Sequence, residues 1–559
     1  MVQRMLQLLH KEWSGLHQAA FLLAGASLAS QLLGLVRDRL LASTFGAGTQ
    51  LDIYYTAFRV PDLIYVTIAS FVSITVLIPF IVKANHNHNR ETVRQFLNGI
   101  FTVFTVVMII VVAILWLVMP RLAFILAPGF DMDSARELVF ISRILLLSPL
   151  LLGISNLLGG VTQSFHKFFA YTVSPIAYNL GIVIGIIFWQ PHFGLAGIAW
   201  GVVLGAVFHL IIQLPTIIGV GLLPRPTLII PWKEIRSMVA TSLPRTLTLA
   251  TYQLSMAALV ALGSLLITGA ISVFNLAQNL QTVPMMIIGL SYAVAAFPTL
   301  AKHFSAGETE AFKNKMIIAA RHITFWSMPS IVFIVVLRAH IVRVVLGGGA
   351  FDWTDTRLTA AALAMFVLSA SAQGLVQLFV RGYYATSNTI KPLVINIFSS
   401  ILIVGGAWGL VAVFKLWPMT LLVVEQMFRV GDVPGSIVLA LPLAFSIGTV
   451  INALLFIFVF EKDFGGLVKP LVRTTLEATT ASVIGGLVTY GLLFFGSPIF
   501  ELKTLMGVFL QALATGSVGI LVWAVVLTLL KNAEFLESLT ALRVKFAPKN
   551  RVVAEQGEL

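Results

Sequence analysis

Long apolar runs follow one another along this chain, each separated from the next by a short polar stretch. Windows of 18 or more nearly uncharged residues recur from end to end. That is the pattern of helices crossing a bilayer, because about 20 residues at a rise of about 1.5 Å span the hydrocarbon. Fourteen spans are predicted, near residues 19–43, 54–82, 97–120, 139–160, 168–189, 194–219, 236–262, 270–300, 317–341, 359–382, 391–413, 436–460, 475–496 and 507–530. Several exceed the required length, so they tilt, bend or extend past the membrane. The connection over 415–436 carries a shorter apolar run, Met419 to Val424, that cannot cross. It predicts a short interfacial helix, its apolar run interrupted by Glu425.

Composition agrees with the pattern. Of 559 residues, 58% are hydrophobic and 11% charged, with a mean hydropathy of +0.96. Soluble domains carry about 25% charged residues and cannot hide this much apolar surface. The expected fold class is an all-α polytopic membrane protein. The net charge of +13 would raise nucleic acid as a partner in a soluble protein. Here the basic residues lie in short loops, where membrane orientation explains them, and no nucleic-acid partner is expected. With the N-terminus inside, cytoplasmic segments hold 23 of the 36 basic residues and outer segments nine; Arg37, Arg39, Arg59 and Arg245 fall within spans. This bias places both termini in the cytoplasm. Residues 1–18 read as a cytoplasmic lead-in without signal-peptide features, and 531–559 as a cytoplasmic tail.

The pattern also repeats. Ser174-Pro175-Ile176-Ala177-Tyr178-Asn179 recurs in outline as Lys391-Pro392-Leu393-Val394-Ile395-Asn396, each behind an aromatic cluster. Gly48 through Pro61 and Pro79 match Gly269 through Pro284 and Pro298 at an offset near 220. Six spans fit that offset. The organisation expected is an N-terminal lobe over 19–219, a C-terminal lobe over 220–460 in parallel repeat, and two extra helices over 461–530.

Charges inside apolar segments single out the chemistry. A charge at bilayer depth is costly and normally faces protein or a wet cavity. Arg37 and Asp38 interrupt the first span, Arg59 and Asp62 the second and Arg245 the seventh, and Asp52 lies between the first two. Arginine suits phosphate because its planar fork gives paired hydrogen bonds. Arg37, Arg59 and Arg245 are therefore candidate ligands, with Arg39 weaker. Asp38 and Asp52 are candidates for the same substrate site, orienting the arginines; Arg37 can equally form a structural ion pair with either, and Asp62 can pair with Arg59 along one helix face. Asn179, Gln278 and Asn279 are candidates for a polar path or for interhelical hydrogen bonds. Gly46, Gly48, Pro61 and Pro284 are candidate hinges or packing positions. The chain has no cysteine, no metal-ligand motif and no phosphate-binding loop for ATP. No cofactor is expected, and an ion gradient or the membrane potential is the expected energy source. An enzyme is not expected.

The motifs Gly34-Leu35-Val36-Arg37-Asp38, Phe45-Gly46-Ala47-Gly48 with Asp52, and Ala57-Phe58-Arg59 with Pro61 resemble those of the MurJ/MviN lipid II flippases, within the multidrug/oligosaccharidyl-lipid/polysaccharide exporter superfamily. Gly153–Leu158, Tyr178–Gly181, Ala295–Leu300 and Arg381–Thr389 agree with it. The resemblance covers roughly residues 18–400. It implies fourteen helices in two lobes around a cavity opening alternately to each side, and two last helices lining a lipid-tail groove. It also implies transfer of the undecaprenyl-linked peptidoglycan precursor, lipid II, from inner to outer leaflet of the bacterial cytoplasmic membrane. Membrane lipids and cell-wall assembly proteins are the implied partners, and a monomer is expected. The chain departs from the family where arginines or a glutamate are usual: Gln31, Tyr65, Val66, Ser70 and Asn279 stand there. Another lipid-linked oligosaccharide or amphiphile as cargo, or a non-transporting scaffold for cell-wall assembly, are the alternatives.

Overall fold

The computed structural model describes residues 16–71, 90–165, 167–495, 500–501 and 504–546. Among them the chain is helices and turns, with an isolated bridge between Gly348 and Phe351. The helices are α1 (Leu16–Phe45), α2 (Thr49–Ala57), α3 (Arg59–Phe71), α4 (Arg90–Leu126), α5 (Met132–Leu145), α6 (Leu147–Ser164) and α7 (Phe168–Ile184). They continue as α8 (Leu195–Ile211), α9 (Leu214–Val220), α10 (Trp232–Ser264), α11 (Ala270–Met285), α12 (Ser291–Ser305), α13 (Thr309–Leu346) and α14 (Trp353–Val367). The last are α15 (Ala370–Ala385), α16 (Ile390–Leu416), α17 (Pro418–Phe428), α18 (Ala440–Asp463), α19 (Val468–Phe495), α20 (Leu505–Leu529) and α21 (Ala533–Phe546).

The fold is all-α and polytopic. Among the described residues, 11 helices are long and apolar enough to cross a membrane. There are 12 if α14 and α15, bent by 43° where they meet, form one span. These twelve fall on the predicted spans from 97–120 to 507–530. Predicted span 19–43 falls on α1. Span 54–82 begins in α2 and α3, and its remainder over 72–82 lies outside the described residues.

The chain divides into two compact units. One comprises 1–283, 342–366 and 387–452; the other comprises 284–341, 367–386 and 453–559. In the first unit glycines let helices meet backbone to backbone. A Cβ on Gly181 would lie 2.3 Å from Gly205 Cα, and one on Gly185 would lie 2.6 Å from Gly201 Cα. Small residues allow this close approach between α7 and α8, the usual means of helix association in lipid. In the second unit Gly289 meets Gly374, and Gly485 of α19 meets the backbone of Gly519 in α20. There Phe325, Trp523 and Phe535 form a buried aromatic cluster beneath α21.

Breaks follow from chemistry. Pro61 has no N–H to bond Ala57, and α2 gives way to α3 at Phe58, so the proline sits in the first turn of α3, where a helix tolerates it. Pro284 lies one residue before the end of α11, which passes into a π-helical stretch over Met286–Leu290 before α12. The chain leaves the first unit at that proline. The short helix α17 extends on both sides of that apolar run. Within the helix the Glu425 carboxylate accepts a hydrogen bond from Ser436 Oγ. The helix ends at Arg429, which adopts a left-handed conformation with φ 57°.

Candidate functional site

The first unit holds a small polar cavity of about 180 Å³, lined by Arg37, Tyr54, Tyr55, Phe58, Arg59, Asp62, Asn275, Gln278 and Asn279. Helices α1, α2, α3 and α11 supply these side chains. Asn275, Gln278 and Asn279 recur at three- and four-residue spacing, so they share one face of α11. The break at Phe58 turns Arg59 into the same space as Arg37.

Arg37 is already engaged. Its Nε and Nη2 donate to Asp38 Oδ1 at 3.0 and 2.8 Å, and Nη1 donates to Asn179 Oδ1 at 3.1 Å. Asn279 Nδ2 donates to the other Asp38 oxygen at 3.0 Å. Asn179 in turn reaches Ser30 Oγ on α1 at 3.3 Å. The buried carboxylate is thus satisfied on both oxygens, which a buried ion pair requires to be tolerated. The structural pairing of Arg37 with Asp38 is present, and the arginine's flank still lines the cavity.

Arg59 is the less satisfied cation. Its Nη2 donates to Asn275 Oδ1, while its buried Nε has no hydrogen-bond partner. Tyr55 Oη is also buried without one. Arg59 and Asp62 line the cavity together but are not a direct ion pair. An orphaned guanidinium N–H beside a cavity is costly unless something else accepts from it.

The other sequence candidates lie elsewhere. Asp52, 2% exposed, accepts from Gly269 N and Ser272 N at 2.7 Å each and from Ser272 Oγ at 2.5 Å. It caps the start of α11 and orients neither arginine. Asp52 and Ser272 are separated by 220 residues in sequence. Arg245 projects from an exposed face of α10, outside the cavity. Arg39 donates from Nη1 to Val344 O at 2.6 Å, and this is a contact at the far end of α1. There Ala350 N donates to Ser43 O at 2.8 Å and Ala47 N to Asp355 Oδ2 at 3.0 Å. Gly46 adopts φ +61°, and a Cβ there would lie 2.8 Å from Ala350 O. Gly48 is extended and faces no comparable crowding.

Sequence reasoning missed Asn275 and the aromatic wall of Tyr54, Tyr55 and Phe58. The available signal was the polar triplet of α11 on one helical face within an apolar run. Among the described residues no cluster of His, Asp and Glu could hold a metal ion.

The model of the lipid II flippase MurJ family matches residues 41–510, most of the chain. The chain belongs to the lipid II flippase MurJ family. A probable lipid II flippase MurJ of Rhizobium tropici is 26% identical over 383 residues, covering 66% of this chain and 70% of that protein. A solved structure of lipid II flippase MurJ in an inward closed conformation superposes with TM-score 0.72 at 21% identity, over 93% of this chain and all of that one. An inward-facing MATE family transporter shares the fold with TM-score 0.63 at 12% identity, over 79% of this chain and 96% of that one.

Proposed function

We propose that this membrane protein carries lipid II from the inner to the outer leaflet by alternating access, and that the cavity at Arg59 and Arg37 holds its diphosphate. The observation that carries the site is Arg59: a half-buried arginine whose Nε is buried without a hydrogen-bond partner, beside a polar cavity. Phosphate oxygens accept from such a fork, and removal from water strengthens the bond. Small-molecule pockets usually measure about 300–1,000 Å³. This smaller cavity suits a phosphate subsite, with the sugar, peptide and lipid tail lodged outside it. Arg37, anchored by Asp38, Asn179 and Asn279, adds positive charge at a fixed position. The charge bias of the loops supports an orientation with both termini in the cytoplasm. The repeat supports two lobes over 19–219 and 220–460, with Pro61, Pro284 and Gly46 at the bends. The membrane potential or an ion gradient supplies energy, at about 2.3 kcal/mol per charge per 100 mV.

A second reading, another lipid-linked oligosaccharide as cargo, draws on Gln31, Tyr65, Val66 and Asn279 standing where the family usually has charged residues. Equilibrium binding of purified protein to lipid II and to an undecaprenyl-diphosphate oligosaccharide lacking the peptide separates the two. Tighter binding of lipid II, weakened about tenfold or more by Arg59→Lys because lysine lacks the planar fork, is the expected result. Preference for the other lipid would favour the second reading. Equal binding by Arg59→Lys and wild type would remove the diphosphate from this cavity.

A further inference from the structure

Away from the arginine cavity, the first unit carries a groove of about 400 Å³ where the end of α4 meets the start of α5. Pro120 and Phe124 of α4 and Met132, Arg136, Phe140 and Arg143 of α5 line it. The α5 residues recur at spacings of four, four and three, so they share one face of that helix. Phe124, Met132 and Phe140 are each more than half exposed. Both α4 and the run of α5 with α6 are long and apolar enough to cross a membrane, so the groove opens toward lipid.

A break in α4 holds one arginine in this groove. Pro120 lies inside the helix and has no N–H, so the carbonyl of Trp116, four residues earlier, loses its helical donor. Arg143 Nε donates to that carbonyl at 3.0 Å, and the guanidinium carbon lies 4.0 Å from the centre of the Trp116 ring. These two contacts fix the plane of the fork and leave Nη1 and Nη2 without a hydrogen-bond partner among the described residues. Arg136 stands two turns earlier on the same face, roughly 10 Å along the axis. It meets Asp133 at 3.4 Å between exposed side chains, and such surface pairs contribute little. No carboxylate is among the residues lining the groove.

We propose that this groove binds an anionic phospholipid, its phosphate seated between Arg143 and Arg136 and its acyl chains lying along α4. The open edge of the Arg143 fork suits two phosphate oxygens. Two guanidinium groups with no lining acid attract a headgroup of net negative charge and repel the ammonium of a zwitterionic one. A tryptophan beside an arginine near the end of a span marks the level where lipid headgroups lie. Val106, Ile110 and Leu117 are exposed on α4 at spacings of four and seven, in line with Phe124, and offer the chains an apolar strip. A phosphate free in water would leave that strip unused, so the occupant is the lipid. With both termini in the cytoplasm, as proposed above, the α4–α5 turn lies outside and the lipid belongs to the outer leaflet.

Native mass spectrometry of the full-length protein, released from nanodiscs of equal parts phosphatidylglycerol and phosphatidylcholine, counts the lipid retained, and a photoactivatable phosphatidylglycerol marks where it sits. The wild type should retain phosphatidylglycerol in preference, with the label within 106–143. Arg143→Lys keeps the charge but not the fork and should weaken retention about tenfold. Arg136→Gln, at an exposed position that holds no helix contact, should weaken it as well, whereas Lys415→Gln at the exposed end of α16 should not. Equal retention of the two lipids, unchanged retention in either arginine variant, an equal loss in Lys415→Gln, or labelling elsewhere overturns the proposal. Displacement of the lipid by inorganic phosphate would make this a site for soluble anions and overturn the lipid assignment. Tighter retention of lipid II than of phosphatidylglycerol would make the groove part of the cargo path and overturn it too.

Discussion

At the scale of residues, the polar groups of the first unit divide into those that hold helices together and those left open for something else. Asp52 belongs to the first kind. Both of its oxygens close the exposed start of α11, through Gly269 N, Ser272 N and Ser272 Oγ. Asp52→Ala should lower stability by on the order of 3 kcal/mol, because it orphans two buried backbone donors. A falling midpoint of thermal unfolding in detergent would show this; an unchanged midpoint with lost transport would make Asp52 a ligand instead. The sequence reveals that Asp52 is an acid within an apolar segment. It does not reveal the partner, 217 residues away, because only folding brings those ends together. Arg37 and Asp38 were legible as a pair since they are neighbours. Arg59 was legible as a buried cation, but its relation to Asn275 depends on the packing of α11. Arg245 looked equivalent to the others because its position between apolar residues does not say which face of α10 it occupies.

At the scale of elements, close backbone contacts and satisfied helix ends set the architecture. A Cβ on Gly205 would lie 2.3 Å from Tyr178 O. Gly205→Val should therefore force α7 and α8 apart, at about 1–3 kcal/mol or more. Gly409→Ala, with nothing within 4 Å of the added atom, should be neutral in the same unfolding assay. Equal effects would contradict the close-packing account. In the second unit Glu534 fixes α21, accepting from Arg321 Nε at 2.8 Å and Thr474 Oγ1 at 2.6 Å. Burial pushes its carboxyl up, but those hydrogen bonds and the guanidinium charge outweigh it and hold the group below the ordinary glutamate range. A value depressed in the folded state stabilises above the unfolded value and is lost as pH falls through the folded one. Acidification below the ordinary glutamate range should release α21, and Glu534→Gln should loosen it at neutral pH. Hydrogen exchange across 533–546 would register both. Equal protection at neutral and acid pH would contradict this. Helix positions were largely legible from apolar run lengths alone. Glu425 was legible as the end of an apolar run, but its acceptor role toward Ser436 is a tertiary contact that the run does not reveal.

At the scale of the whole molecule, apolar windows carry the membrane spans, and motifs spread over most of the chain carry the family. The cargo is not legible in the same way. The charged cavity is built from Arg37, Arg59 and the polar face of α11. The central claim is that these two arginines move a lipid-linked diphosphate across the bilayer. Its most direct test is translocation of lipid II in proteoliposomes, comparing wild type with Arg37→Ala and Arg59→Ala at matched insertion and with a potential applied. The account predicts transport by the wild type and its loss in both variants, with Arg59→Ala the more severe because Arg37 is already paired with Asp38. Full transport by both variants would contradict it.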